Sequence, residues 1–219
     1  MQLFDIIGPV MVGPSSSHTA GAVKIGYISR KLMAEEIVKA RIELYGSFLA
    51  TGRGHGTPMA LVAGLLGMEP SDERIPDALL IAKENGMQVT FGEAELKEGN
   101  PNSARLILTG KNGKTLEIVG ESIGGGRVNI AKIDGLSANI TGDYPALIVH
   151  NEDHPGHVSK VTGILSEENI NIAEMKLYRL ARGGHAVMVL ECDQEVPKSV
   201  LGRIEAMDGI EKVTYLSLE

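Results

Sequence analysis

Cysteine occurs once in the 219 residues, at Cys192, and tryptophan not at all; phenylalanine and tyrosine together bring the aromatic share to only 4%. One thiol excludes an intrachain disulfide, and a reducing cytoplasmic setting is the expectation. Basic residues are outnumbered, with a net charge of −7, so no stripe of Lys and Arg stands ready to neutralise a phosphate backbone. No nucleic-acid partner is expected. Long apolar runs are missing as well. None approaches the roughly 18 to 20 residues that a membrane-spanning helix needs, and Met1–Asp5 lack the basic start of a signal peptide, so no membrane partner is expected. What the chain has in quantity is glycine, 27 residues, within an otherwise ordinary globular mixture of 43% hydrophobic and 22% charged residues. Tight turns and close backbone approach follow from that, and the length suits one large domain or two small ones.

The pattern changes near residue 145. From Ala146 the signals alternate compactly. Ala146–His150 reads as a buried strand, Asp153-His154-Pro155-Gly156 as a turn, and Val158, Val161, Ile164 and Leu165 recur at helical spacing from His157 to about Glu168. A strand from Ile170 and Ile172 through Met175, Leu177 and Leu180 turns at Arg182-Gly183-Gly184 into Ala186–Glu191. A second helix opens at Pro197, with Val200, Leu201, Ile204 and Met207 as its apolar positions, and Val213–Leu218 closes the set. The order β-α-β-β-α-β is the split βαβ pattern, two helices on one face of a four-stranded antiparallel sheet.

Before residue 145 the signals are less regular. Ser17 to about Glu36 predicts a helix, Lys39–Tyr45 a strand, and Gly52–Thr57 a glycine-rich turn. Helices follow over Pro58–Leu66 and Pro76–Glu84, then a strand over Met87–Phe91. Leu106–Leu108 and Leu116–Val119 flank an Asn112-Gly113 hairpin, Gly124-Gly125-Gly126 interrupts the sheet before Val128–Ile133, and Gly135–Pro145 reads as a connector. The mixture is α/β or α+β, with the strand order open. The expected domains are 1–145 and 146–219.

Two segments carry chemistry. In Gly13-Pro14-Ser15-Ser16-Ser17-His18-Thr19-Ala20-Gly21, three hydroxyls, an imidazole and the free amides of a helix start converge, which suits a carboxylate or phosphate. Helix capping accounts for one of the serines and leaves the rest of the run unexplained. In Gly52-Arg53-Gly54-His55-Gly56-Thr57, glycines on both sides leave the histidine uncovered; as a lone clue this is weak, and a bystander histidine is the commoner explanation. Other motifs are decoys. Gly113-Lys114-Thr115 imitates a P-loop end, but Leu108 stands where its first glycine must be. His154-x-x-His157 lacks further ligands at metal spacing and reads as a loop before a helix. Gly124-Gly125-Gly126 is either a bulge or a backbone wall that a ligand approaches, and Cys192 reads as a core residue.

The second half, with Asn151-Glu152-Asp153-His154-Pro155-Gly156-His157-Val158, resembles the ACT domain. That resemblance implies sheet-edge self-association and, in many such domains, an amino acid bound where the first strand meets the first helix; whether this one binds a ligand stays open. Taken in order, Ser15-Ser16-Ser17-His18-Thr19-Ala20-Gly21, Gly46 through Thr57, and Glu121-Ser122-Ile123-Gly124-Gly125-Gly126, followed by the ACT-like tail, resemble the beta-chain family of bacterial iron–sulfur-dependent L-serine dehydratases. The implied fold is α+β, an α/β-type first domain similar to the allosteric substrate-binding domain of D-3-phosphoglycerate dehydrogenases, then a ferredoxin-like ACT domain. The implied activity is deamination of L-serine to pyruvate and ammonia without pyridoxal phosphate, with a separate alpha chain ligating a [4Fe-4S] cluster.

The single cysteine agrees, since such a cluster takes several thiolates. By the resemblance, Ser15, Ser16, Ser17, His18 and Thr19 bind or surround the substrate, Gly54, Gly56 and Thr57 place the loop, and Gly124 and Gly125 form a further wall. His55 is the implied base, since an imidazole accepts protons at cytoplasmic pH. The alternative is a serine-binding regulatory module without catalysis of its own. One departure stands out: after Gly-His-Gly-Thr the family commonly has Asp, and here it is Pro58.

Overall fold

The computed structural model describes residues 10–97, 99–179 and 181–217. Met1–Asp5 and the strand-end residues Leu180 and Leu218 lie outside the described residues. The chain packs as two units, Met1–Gly135 and Leu136–Glu219.

The first unit opens on a wide π-helical turn, Ser16–Ala20, that runs straight into α1 (Gly21–Met33). This replaces the single helix expected from Ser17 to Glu36. Ser15 is extended, its hydroxyl accepts the His18 amide at 3.1 Å, and the Ala20 amide reaches back to the Ser15 carbonyl. The turn is thus widened by its own serine cap. At the other end Ala34 takes a left-handed φ of 56° and stops the helix.

After α1 come β1 (Ile37–Tyr45), α2 (Gly46–Thr51) and α3 (Thr57–Leu65). A 3₁₀ turn at Ile75–Asp77 then leads into α4 (Ala78–Glu84). The strands β2 (Gln88–Glu93), β3 (Asn102–Gly110), β4 (Thr115–Gly124) and β5 (Arg127–Ile133) complete the unit. Within it the sheet order is β2-β1-β3-β4-β5, with β1 and β2 parallel and the other neighbours antiparallel. Period-2 alternation puts Ala40, Ile42, Leu106, Leu108, Leu116 and Ile118 on the buried face. Over this face α1 and α3 cross so closely that a Cβ on Gly26 would stand 2.2 Å from the Leu61 carbonyl, and one on Gly64 2.0 Å from that of Val23. Glycine is required at both places because the backbones themselves are in contact.

The second unit contains β6 (Leu136–Ile140), β7 (Ala146–Glu152), α5 (His157–Glu167), β8 (Ile172–Arg179), β9 (His185–Cys192), α6 (Lys198–Glu205) and β10 (Ile210–Leu216). From β7 onward the order is the expected βαββαβ, with sheet order β10-β7-β9-β8 and all pairs antiparallel. Leu147, Val149, Val161, Leu165, Leu190 and Ile204 fill the space between sheet and helices. The segment read as a connector contains β6, a strand with Ala138 and Ile140 fully buried. Its five residues, interleaved with Ser137 and Asn139, are too few to stand out as alternation.

Candidate functional site

The six-residue helix α2 turns the chain at the end of β1 and presents Ser47, Phe48 and Thr51 toward the π-turn. His18, buried at 9% exposure, sits over it. Its Nε2 lies 3.1 Å from Ser47 Oγ and 3.2 Å from Thr51 Oγ1, its Nδ1 3.1 Å from Ser17 Oγ, and its ring meets the Phe48 ring edge-on at 5.2 Å. Ser17 Oγ is in turn 3.3 Å from Ser15 Oγ. Burial holds the His18 ring below its ordinary value of 6.5; a hydrogen bond to Ser47 opposes this, and charge on His55 adds to it.

His55 lies beside it, ring centroids 4.9 Å apart. The loop that carries it is wound tightly by amide bonds of Gly54 to Thr51, His55 to Gly52 and Thr57 to Gly52, and closes at Gly56, whose φ of 72° leads into α3. His55 Nδ1 is 3.0 Å from the Thr51 carbonyl. A carbonyl only accepts, so Nδ1 carries the proton and the lone pair of the neutral ring is on Nε2.

Two threonines latch the segments together. Thr19 Oγ1 donates to the His55 carbonyl at 3.1 Å, and Thr57 Oγ1 donates to the His18 carbonyl at 3.0 Å. Both are buried, at 2% and 0% exposure; their protons go to the opposite histidine's backbone.

The sequence-predicted residues Ser15, Ser17, His18, Thr19, Gly54, His55, Gly56 and Thr57 therefore come together, with Ser16 in the same turn accepting the Gly21 amide through its carbonyl. Gly124 and Gly125 stand on the β4–β5 turn at φ of 92° and 62°. The nearest link from there is Ser122, two residues earlier, packed where a Gly21 side chain would be. Ser47, Phe48 and Thr51 were missed as site residues. The signal was the i, i+4 spacing of Ser47 and Thr51, hidden because a helix of six residues is too short to show a period. Pro58, at the start of α3, lines an apolar groove with Leu44, Leu49 and Phe91.

In the second unit a cavity of about 260 Å³ lies beside Asn151, Asp153, His157, Val158, Leu177 and Arg179. Here both ring nitrogens of His157 face backbone carbonyls, Glu152 O at 2.9 Å and Asp208 O at 3.0 Å. A metal at that ring would have to displace one of them. Among the described residues no three His, Cys, Asp or Glu side chains gather as a metal site. Cys192 is fully buried, and burial, reinforced by the charge of Asp193, pushes its thiol up to about 11. These residues do not fit an iron–sulfur cluster, which needs several ionised thiols. No helix among the described residues is long and apolar enough to cross a membrane.

Comparison with known proteins agrees with this anatomy. The serine dehydratase beta chain profile matches residues 2–86 and the ACT domain profile residues 146–209. The probable L-serine dehydratase beta chain of Bacillus subtilis is 38% identical over 98% of this chain and 97% of its own length. The L-serine dehydratase beta chain of Peptoniphilus asaccharolyticus is 34% identical over 98% and 97%. D-3-phosphoglycerate dehydrogenase of Methanocaldococcus jannaschii is 29% identical over 81% of this chain but only 34% of its own. Full-length likeness to two such beta chains settles the kinship: this chain belongs to the L-serine dehydratase beta-chain family.

Proposed function

We propose that the chain is one half of an L-serine ammonia-lyase, supplying the base and the carboxylate site while an alpha chain carries the [4Fe-4S] cluster. The observation that carries this reading is the bond from His55 Nδ1–H to the Thr51 carbonyl, which leaves Nε2 as a proton acceptor on a half-buried ring. In this reading Nε2 takes the α-proton of L-serine. The electron pair forms the Cα–Cβ double bond as the β-hydroxyl departs, and the aminoacrylate released tautomerises and hydrolyses to pyruvate and ammonia. The serine carboxylate is held at the opening of the π-turn, where the first amides of a helix have no partner one turn earlier and Ser15 and Ser17 line the turn. Thr19 and Thr57 act as positioning residues, holding His18 and His55 in register. The departing hydroxyl needs an electrophile that the donors of this chain do not provide, and the partner is proposed to provide it.

The soluble, cytoplasmic heterodimer that this implies is tested by mixing. The chain alone is expected to release no pyruvate from serine, and an anaerobically prepared alpha chain to restore release. Pyruvate from the chain alone would overturn the division of labour. A second reading, a serine-binding regulatory module, is favoured by the likeness to a D-3-phosphoglycerate dehydrogenase over 81% of the chain. Calorimetry with serine that gives clear binding, together with indifference to any alpha chain, would select it.

A further inference from the structure

We propose that Thr51 is a positioning residue that divides the work of the two histidines, making His55 Nε2 the sole free base and tying off His18. This rests on the reading of His55 as the base. Thr51 touches both rings: its carbonyl takes the His55 Nδ1–H at 3.0 Å, and its hydroxyl stands 3.2 Å from His18 Nε2.

A hydroxyl has one proton. That of Thr51 goes to the Ser47 carbonyl one helical turn back, at 3.0 Å, the ordinary habit of a helical threonine. Its remaining lone pairs therefore face His18 Nε2. A lone pair on Nε2 would oppose them, whereas an Nε2–H donates to Thr51 Oγ1 and shares with Ser47 Oγ at 3.1 Å, and the Ser47 hydroxyl in turn has Thr51 Oγ1 as its acceptor at 3.4 Å. Thr51 thus selects the tautomer of His18 with the proton on Nε2.

The rest of the chain of hydroxyls follows in one direction. His18 Nδ1 accepts the Ser17 hydroxyl at 3.1 Å, Ser17 Oγ accepts from Ser15 Oγ at 3.3 Å, and Ser15 Oγ accepts the His18 amide at 3.1 Å. Every donor and acceptor is satisfied, and no lone pair of His18 is left to compete for a substrate proton. The titratable group facing the His18 ring is His55, and the other groups around it are the three hydroxyls and the Phe48 edge. Burial of His18 works in the same direction by disfavouring a positive charge on its ring. Thr51 itself is exposed, so its substitution leaves the packing of the unit in place.

Nitrogen NMR of the imidazole rings in the full chain, with the pH profile of the enzyme reconstituted with its alpha chain, tests this. Wild type is expected to show His18 protonated on Nε2 and His55 on Nδ1. Thr51→Val, which keeps the carbonyl and the shape, is expected to lose the His18 preference while His55 keeps its own. It should also lower kcat about tenfold, the scale of one hydrogen bond, and alter the acid limb of the profile; Thr51→Ser should restore both readouts. A wild-type His18 protonated on Nδ1, or a Thr51→Val chain with unchanged tautomer and profile, would overturn the proposal. Failure of the His55 reading is distinguishable, because full activity of His55→Ala would leave the tautomer result standing.

Discussion

Each unit of the molecule holds a pair of histidines, and the pairs are used in opposite ways. His18 and His55 lie 4.9 Å apart and His154 and His157 6.3 Å apart, centroid to centroid. In the first unit the buried ring is surrounded by the hydroxyls of Ser17, Ser47 and Thr51. In the second it is clamped between the carbonyls of Glu152 and Asp208, with Gly209 so close that a Cβ there would stand 2.6 Å from Nε2. A hydroxyl can turn from donor to acceptor as a ring gains or loses a proton; a carbonyl cannot. The first arrangement satisfies both nitrogens of a neutral ring, one as donor and one as acceptor. The second is built to join the start of α5 to the loop before β10, and it explains why a His-x-x-His spacing here is architecture.

That contrast is open to attack at several points. The largest effect on stability is expected from His157→Ala. Losing the ring and its contacts with the Glu152 and Asp208 carbonyls should cost about 2–3 kcal/mol, a fall in Tm on the order of 10 °C for a unit of this size. Scanning calorimetry checks it. Activity reconstituted with the alpha chain at a temperature well below the transition should stay near wild type, and a loss of turnover without a loss of stability would blur the distinction between the pairs.

A smaller but clear effect concerns Cys192, whose thiol burial pushes up to about 11 from the ordinary 9. At pH 8 the native chain is expected to resist a thiol reagent and to react fully once unfolded. Mass spectrometry of the labelled protein decides it. Rapid native labelling would mean that this sulfur is available as a ligand after all.

The smallest effect is on the acid limb of stability and belongs to neither pair. Asp72 accepts from the Arg74 guanidinium at 2.6 and 2.9 Å and from its amide, which holds the carboxyl at about 2 against an ordinary 3.8. Because the folded value is the lower one, this contribution is present above about pH 4 and fades as pH falls toward 2. Asp72→Asn should flatten that limb slightly in acid denaturation, lowering stability a little above about pH 4 and leaving it unchanged near pH 2.

The second unit was readable from sequence almost strand by strand, because turns such as Arg182-Gly183-Gly184 separate segments with clear 2.0 or 3.6 periods. Strand β6 escaped because five residues carry too little pattern. In the first unit, the residues that meet at the site could be named from the motifs, but their division of labour could not. That Thr19 and Thr57 bond across to each other's histidine depends on a contact 36 to 39 residues apart in the chain, which no local pattern encodes. The π-turn was invisible for a related reason: Ser15 looks like any helix cap until the Ala20 amide is seen to reach its carbonyl. Gly124 and Gly125 carry the weakest link between motif and geometry, reaching the cluster only by way of Ser122 and Gly21.

The central claim is that one imidazole of the first unit, His55, is the base. It is tested most directly by His55→Ala in a chain shown to bind its alpha chain normally, assayed anaerobically for pyruvate from L-serine. A loss of turnover on the order of 10²- to 10⁴-fold, with serine still bound by calorimetry, is the result this account predicts. Turnover near the wild-type rate would contradict it.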